Sequence, residues 1–130
     1  MHARKANLAY TFRLYLNSDN ERILGKGGAQ ILEAVDECGS ITAAAKKLKM
    51  SYKFTWDYLV RMRRRLHQPV IVTHRGGTQA GKKRGGGGTM LTPTARILLK
   101  EFKETERQVQ NIVRKREAIT TRLASKGRGK

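Results

Sequence analysis

The residues with the clearest chemistry lie in one short segment near the middle of the chain. Ser51, Tyr52, Lys53 and Trp56 supply a hydroxyl, a phenol, an ammonium and an indole within six positions. At the start of a helix these groups can reach base edges, because a helix fits the major groove of DNA, about 12 Å wide. The ammonium can donate to guanine, and the rings can pack on thymine methyl groups. The pattern predicts a surface that reads double-stranded DNA.

Two basic groups follow this segment, and both are predicted to contact phosphates. One continues along the same helix, and the other lies in a glycine-rich stretch, 74–88, that contains no acidic residue. These predicted DNA-binding residues are Arg61, Arg63 and Arg64 in the helix, and Arg75, Lys82, Lys83 and Arg84 in the glycine-rich stretch. The β-branched run at 70–73 and its counterpart at 89–92 are typical of strands. They predict a basic hairpin, or wing, at about 70–92, whose glycines let the backbone approach the sugar–phosphate chain.

The charge balance restricts the class of partner. The 130 residues include 28 Lys+Arg and 10 Asp+Glu, which gives a formal net charge of +18. A polyanionic partner relieves the resulting self-repulsion, so DNA, RNA and anionic membranes are the candidates. No apolar run approaches the ~18 residues of a membrane span, and no signal-peptide core follows residues 1–5. We expect a cytoplasmic, nucleoid-associated protein.

Catalysis and cofactor binding find no support in the sequence. Cys38 is the single cysteine, and His2, His67 and His74 lack the spacing of metal ligands. The glycine run at 85–88 lacks the Gly-Lys-Ser/Thr ending of a nucleotide-binding loop. No carboxylate pair or nucleophile–base pair stands out. We therefore expect no enzymatic activity, no metal and no cofactor.

Three helices are predicted between the glycines at 25–28 and Pro69. The first ends at Gly39, and Ser40 or Thr42 caps a short second helix. Ser51 caps the third, which runs to about His67. Its predicted buried stripe is Thr55, Leu59, Met62 and Leu66. A short helix, a tight turn and a helix with basic and aromatic residues at its start form a helix-turn-helix, with 51–67 as the recognition helix.

The two ends of the chain are predicted to support this unit. Alternating residues at 8–16 indicate a half-buried strand, and 21–24 can return as a second strand. The last helix starts near Pro93 with a heptad-like apolar seam, which favours a dimerisation helix. The predicted seam is Leu98, Phe102, Thr105, Val109, Ile112, Arg116 and Ile119. Residues 1–7 are interpreted as a basic arm and 120–130 as a disordered basic tail.

The predicted fold class is α+β and mainly α: a winged helix-turn-helix with an N-terminal β-hairpin and a long C-terminal dimerisation helix. The corresponding domain is 8–119, with the dimerisation helix from about 93.

Three motifs, in this order, resemble the winged-helix DNA-binding domain of ModE-type, molybdate-responsive regulators, and more distantly the LysR type. They are GSI-x-x-AAK at 39–46, MSYK-x-x-W-D-x-L at 50–59 and GGGG-x-x-LT-x-x-x-R-x-LL at 85–99. The resemblance covers roughly 8–105. It implies a dimer, joined through the strand before the first helix and the helix after the wing, that reads a palindromic site.

The sequence also departs from that family. ModE-type regulators carry an oxyanion-binding domain after this one, whereas here a basic tail follows, so no small-molecule effector is expected. The wing contains an addition at 78–83, and Phe54 and Tyr58 replace smaller residues. The sequence does not say what these two rings pack on.

The first functional hypothesis is a homodimeric transcriptional regulator that binds double-stranded DNA. The alternative is a sequence-tolerant architectural or chromatin protein, which the excess charge favours. An RNA-binding protein is a third possibility, although the narrow major groove of A-form RNA excludes a recognition helix. Three residue-level alternatives also stand: Trp56 as a core aromatic, Tyr52 and Lys53 as a solvated face, and the arginine cluster as a solvated face.

Overall fold

The computed structural model describes residues 6–74, 78–79, 82–83 and 88–127, with the backbone alone at 78–79 and 82–83. The elements of this part are β1 (Leu16–Ser18), β2 (Glu21–Leu24), α1 (Lys26–Cys38), α2 (Ile41–Leu48), α3 (Tyr52–Leu66), β3 (Ile71–His74), β4 (Thr78–Gln79), β5 (Lys82–Lys83), β6 (Gly88–Leu91) and α4 (Pro93–Gly127). Antiparallel pairs join β1 to β2, β3 to β6 and β4 to β5. This mainly helical arrangement with small hairpins confirms the predicted fold class.

The N-terminal hairpin is closed by a tight turn at Asp19 and Asn20. Both residues have positive φ, 49° and 67°, as the central residues of a type I′ hairpin turn require. Ile23 and Leu24 on β2 are buried in the main core. The hairpin is therefore attached to the helical body through its second strand.

The predicted strand at 8–16 is wrong over most of its length. Leu16 begins β1, and residues 6–15 form no strand. Tyr10 lies against α4 instead: its backbone N–H donates to Glu117 Oε2 at 2.7 Å, and its hydroxyl is 2.8 Å from Thr120 Oγ1. A strand needs a neighbour for its backbone hydrogen bonds, and β2 provides one for three residues only.

The core forms where α1 meets α2, β6 and the start of α4, and where α3 meets α2 and β2. Its most completely buried side chains come from four segments of the chain: Leu24, Ile31, Leu32, Val35, Thr55, Leu59, Met62 and Val70. The predicted stripe of α3 is confirmed, with Leu66 half-buried at its end. The predicted stop of α1 is also confirmed, because Gly39 has a φ of 73° and its N–H donates to the Val35 carbonyl.

Helix α1 starts earlier than the sequence suggested. It begins at Lys26 and so includes Gly27 and Gly28, which were expected to precede it. The packing around position 28 explains why this helical residue is glycine: a Cβ there would lie 2.9 Å from the Tyr58 ring and 3.0 Å from Leu24. The glycine leaves room for the Tyr58 ring of α3 against α1.

Helix α4 differs from the prediction at both ends. Near its start the side chains buried in the core are Ala95, Leu99 and Phe102, so the inward face is centred on Leu99 rather than Leu98. Near its end the helix continues to Gly127. The predicted disorder is therefore wrong for 120–127, where helix-forming Arg122, Leu123 and Ala124 continue the regular backbone; residues 128–130 lie outside the described part.

Candidate nucleic-acid interface

The turn between α2 and α3 is fixed by capping side chains at both helix starts. The Ser40 hydroxyl oxygen accepts from Ala43 N–H at 2.9 Å, and the Ser51 hydroxyl oxygen accepts from Phe54 N–H at 3.0 Å. Lys49 ends α2 with a φ of 58°. Each cap satisfies a backbone donor that a helix start leaves without an intrahelical partner. The entry of the chain into α3 is thereby set.

Small residues let the two helices approach closely. Ala44 and Ala45 of α2 are fully or almost fully buried, and Thr55 of α3 is completely buried. The Thr55 hydroxyl donates to the Ser51 carbonyl at 2.9 Å, so burying it leaves no donor without a partner. This packing turns the opposite side of α3 toward solvent.

The exposed side of α3 carries the residues predicted to read bases. Tyr52 and Trp56 are 51% and 38% exposed, and their rings stack with an interplanar angle of 6° and a centroid distance of 6.5 Å. Lys53 is also exposed, and its Nζ lies 2.8 Å from Asp57 Oδ2. The hydrogen bond that Lys53 donates to Asp57 raises the pKa of Lys53. The structure therefore brings Ser51, Tyr52, Lys53 and Trp56 onto the start of one helix, and Trp56 is not a core aromatic.

On the other flank of α3, Tyr58 packs against α1, which answers a question the sequence left open. Its ring lies against Gly28, and Phe54 lies beside it with a centroid distance of 6.2 Å. The Arg61 guanidinium lies 4.8 Å from the centre of the Tyr58 ring, a cation–π distance. The sequence signal for this contact was the four-residue spacing of Phe54 and Tyr58 together with a glycine inside a helix.

The arginines at the end of α3 fall into two groups. Arg61, Arg63 and Arg64 are exposed. Arg65 is instead directed to the N-terminal hairpin, where its Nη1 donates to the Arg22 carbonyl at 2.9 Å and its Nε lies 3.9 Å from Glu21 Oε2. Three of the four arginines are thus available to a ligand along one helix, and the fourth ties α3 to the hairpin.

The wing lies next to the exposed side of α3. Its base is the β3–β6 pair, in which Val72 faces Met90 and both are exposed. A groove of about 260 Å³ separates the wing from α3, and its lining includes Trp56, Val60 and Arg63 on one side and Ile71 and Thr73 on the other. A ligand on the start of α3 would therefore meet the wing as well.

The basic residues predicted in the wing are only partly covered by the described structure. Lys82 and Lys83 form β5, which pairs with Thr78 and Gln79. Arg75 and Arg84 lie outside the described residues.

Acidic residues of α1 are held by basic partners on neighbouring helices. Glu33 pairs with Lys103, Asp36 pairs with Arg96 at 2.8 Å, and Glu37 pairs with Lys47. The hydrogen bond from Lys47 lowers the pKa of Glu37. This negative charge is taken up between α1, α2 and α4 and lies away from the exposed side of α3.

Neither a metal site nor a membrane span is found in the described residues. Within 6–74 and 88–127, no group of three or more histidine, cysteine or acidic side chains is arranged to hold a metal ion. No helix in this part of the chain is long and apolar enough to cross a membrane. Cys38 is half-buried at the end of α1.

The chain is similar in sequence to two proteins named ModE. The chain is 38% identical over 78 residues to the transcriptional regulator ModE of Haemophilus influenzae, covering 60% of this chain and 28% of that protein. It is 33% identical over 99 residues to the molybdenum transport protein ModE of Azotobacter vinelandii, covering 76% of this chain and 34% of that protein. The chain thus spans about a third of the length of these relatives.

Two further comparisons concern the helix-turn-helix unit itself. A solved CbnR_DBD-DNA complex aligns with 75% of this chain and 93% of its own, at 18% identity and a TM-score of 0.47. The model of the bacterial regulatory helix-turn-helix proteins of the lysR family matches residues 28–96, which run from α1 into the start of α4. The chain belongs to this family of helix-turn-helix transcriptional regulators.

Proposed function

We propose that this chain binds double-stranded DNA as a homodimer and regulates transcription, with α3 in the major groove and the wing on the sugar–phosphate backbone. The observation that carries the proposal is the exposed start of α3, where Tyr52, Lys53 and Trp56 all face solvent and Trp56 lines the groove beside the wing. Membership in a family of helix-turn-helix regulators supports it. A helix of this kind presents its first residues to base edges.

Each residue at the start of α3 has a proposed role. Lys53 donates to guanine, and the stacked rings of Tyr52 and Trp56 pack on thymine methyl groups. The Ser51 hydroxyl oxygen already accepts from a backbone N–H, so Ser51 acts by fixing the helix start, whose dipole favours a nearby phosphate.

Phosphate binding is proposed for the exposed arginines of α3 and for the wing. Arg61, Arg63 and Arg64 lie further along the helix than the base-reading residues, where the groove gives way to backbone. The wing residues proposed for the same role are Arg75, Lys82, Lys83 and Arg84. These contacts carry no sequence information, but they supply affinity and make binding depend on salt concentration.

Dimerisation is proposed through α4, in a domain that we place at 8–119 with the dimerisation helix from about 93. At 35 residues, α4 is about 50 Å long, and its buried residues end at Phe102. Ile112 and Leu123 on the remaining length are 62% and 58% exposed. Helices of this kind derive most of their stability from packing. A second copy would cover these side chains and set half-sites about 34 Å apart.

The experiment that tests the proposal is selection of bound duplexes from a random DNA pool with the full chain, at about physiological salt. A two-fold symmetric enriched sequence, together with a dimer in analytical ultracentrifugation, is the expected result. Enrichment of a single half-site by a monomer would contradict the proposed dimer but would still support recognition of bases by α3.

Architectural DNA binding is the second candidate, and the charge of the molecule is the observation that favours it. A net charge of +18 can hold the protein on any duplex through counterion release. Under this function the same selection would return tightly bound DNA without an enriched sequence.

A further inference from the structure

The centre of the exposed side of α3 is occupied by Lys53 and Asp57. At about 100° per residue, these two positions lie about 150° and 170° from the mean direction of the buried Thr55, Leu59 and Met62. Their side chains are 85% and 54% exposed. Tyr52 and Trp56 lie to one side of the pair, toward the wing. A groove that receives the face opposite the core would therefore meet Lys53 and Asp57 first.

The pair presents a hydrogen-bond donor and an acceptor side by side. Lys53 Nζ lies 2.8 Å from Asp57 Oδ2. In the major groove of a G·C pair, guanine O6 is an acceptor and cytosine N4 is a donor. These two base atoms are partners in the Watson–Crick pair, so they too lie at hydrogen-bond distance, about 2.9 Å. The spacing and polarity of the protein pair complement those of the base pair.

The charge of the surrounding sequence makes Asp57 exceptional. Between Gly39 and Lys100 the chain has 14 basic residues, and Asp57 is the single acidic residue. An acid on a surface that approaches phosphates weakens binding to every duplex. Helix stability accounts for only a small part of its presence, because a basic residue four positions before an acid is the less favourable orientation of such a pair.

We propose that Lys53 and Asp57 together read one G·C pair in each half-site, Lys53 donating to guanine O6 and Asp57 accepting from cytosine N4. This inference rests on the proposed function and identifies two residues that determine part of its sequence specificity. Asp57 thereby lowers the general affinity for DNA and raises the preference for one base pair.

The test measures the affinity of the full chain for the selected duplex and for variants carrying each of the four base pairs at each position. Wild-type protein is compared with Lys53→Ala and Asp57→Ala, and Glu104→Ala on α4 is the matched control for loss of an exposed, ion-paired acid. Circular dichroism verifies that each variant retains its helix content. Replacing guanine by inosine at the position concerned leaves the major-groove atoms unchanged and removes a minor-groove amine.

The expected result is that both variants of the pair lose preference for G·C at the same position, by about tenfold, while Glu104→Ala keeps the wild-type profile. Wild-type affinity is expected to survive the inosine replacement; a large loss would place the reading in the minor groove and overturn the inference. An Asp57→Ala variant whose affinity changes equally for all base pairs would also overturn it, with the proposed function intact. A pool that yields no enriched sequence would overturn both.

Discussion

Gly27 and Gly28 are adjacent in the first turn of α1, and alanine at these two positions is expected to change stability in opposite directions. A Cβ at Gly27 meets nothing within 4 Å, whereas a Cβ at Gly28 lies 2.9 Å from Tyr58 and 3.0 Å from Leu24. Neither glycine has positive φ, so the backbone accepts alanine at both. The difference between the two variants therefore isolates the contact of α1 with α3.

The magnitudes follow from two opposing effects. Replacing a helical glycine by alanine stabilises by about 0.4–1 kcal/mol through the unfolded state, and this is the full expectation for Gly27→Ala. Forcing a methyl group into a packed contact costs about 1–3 kcal/mol. Gly28→Ala is therefore expected to destabilise by about 0.5–2 kcal/mol after the same gain is subtracted.

Urea unfolding of both variants, at one protein concentration because dimerisation would change apparent stability, measures these free energies. Tyr58→Ala removes the ring that a Cβ at position 28 would meet. Gly28→Ala should therefore reduce the free energy of unfolding less in a Tyr58→Ala background than in the wild-type protein. If Gly28→Ala stabilises as much as Gly27→Ala, the close packing of the Tyr58 ring on α1 is refuted.

Four further predictions concern binding, assembly and pH. Tyr52→Ala should cost about 1–3 kcal/mol on the selected duplex and relax its sequence preference, and an equal loss on random DNA in a titration would exclude base reading. Arg63→Gln should reduce the dependence of log affinity on log salt by about 0.9, whereas Arg65→Gln, whose parent side chain binds the hairpin, should leave that slope nearly unchanged. Ile112→Asp should yield monomers in sedimentation, and a persistent dimer would show that α4 is not its main support. The hydrogen bonds from Arg107 and Gln108 lower the pKa of Glu104 to about 2. The contribution of Glu104 to stability is therefore full above about pH 4.5 and is lost as the pH falls toward 2. In acid unfolding, Glu104→Gln should lack the part of the pH dependence that comes from this carboxylate.

The helix-turn-helix was predictable because its signals are local. Ser40 and Ser51 cap the helices that the sequence assigned to them, and Gly39 stops α1 at the expected place. The spacing of Thr55, Leu59 and Met62 identified the buried stripe of α3. Caps, glycine stops and helical periodicity each involve residues within one or two turns, so the sequence contains the whole signal.

The features that the sequence did not predict depend on contacts between distant segments. The alternation at 8–16 indicated a strand, but the alternation does not say whether a partner strand exists, and Tyr10 binds Glu117 on α4 instead. The reason for glycine at position 28 is the ring of Tyr58, thirty positions later in the chain. The sequence contains no local signal for Asp57, because its significance comes from the pair it forms with Lys53 and from its place at the centre of the exposed side of α3.

The central claim is that α3 gives this chain a preference for one DNA sequence over others. Its most direct test is the ratio of dissociation constants for a shuffled duplex and for the selected duplex of the same length, measured with the full chain at one physiological salt concentration. A ratio of about 10³ or more is expected for specific recognition. A ratio near one, with tight binding to both duplexes, would contradict the claim and assign the protein to charge-driven binding without base reading.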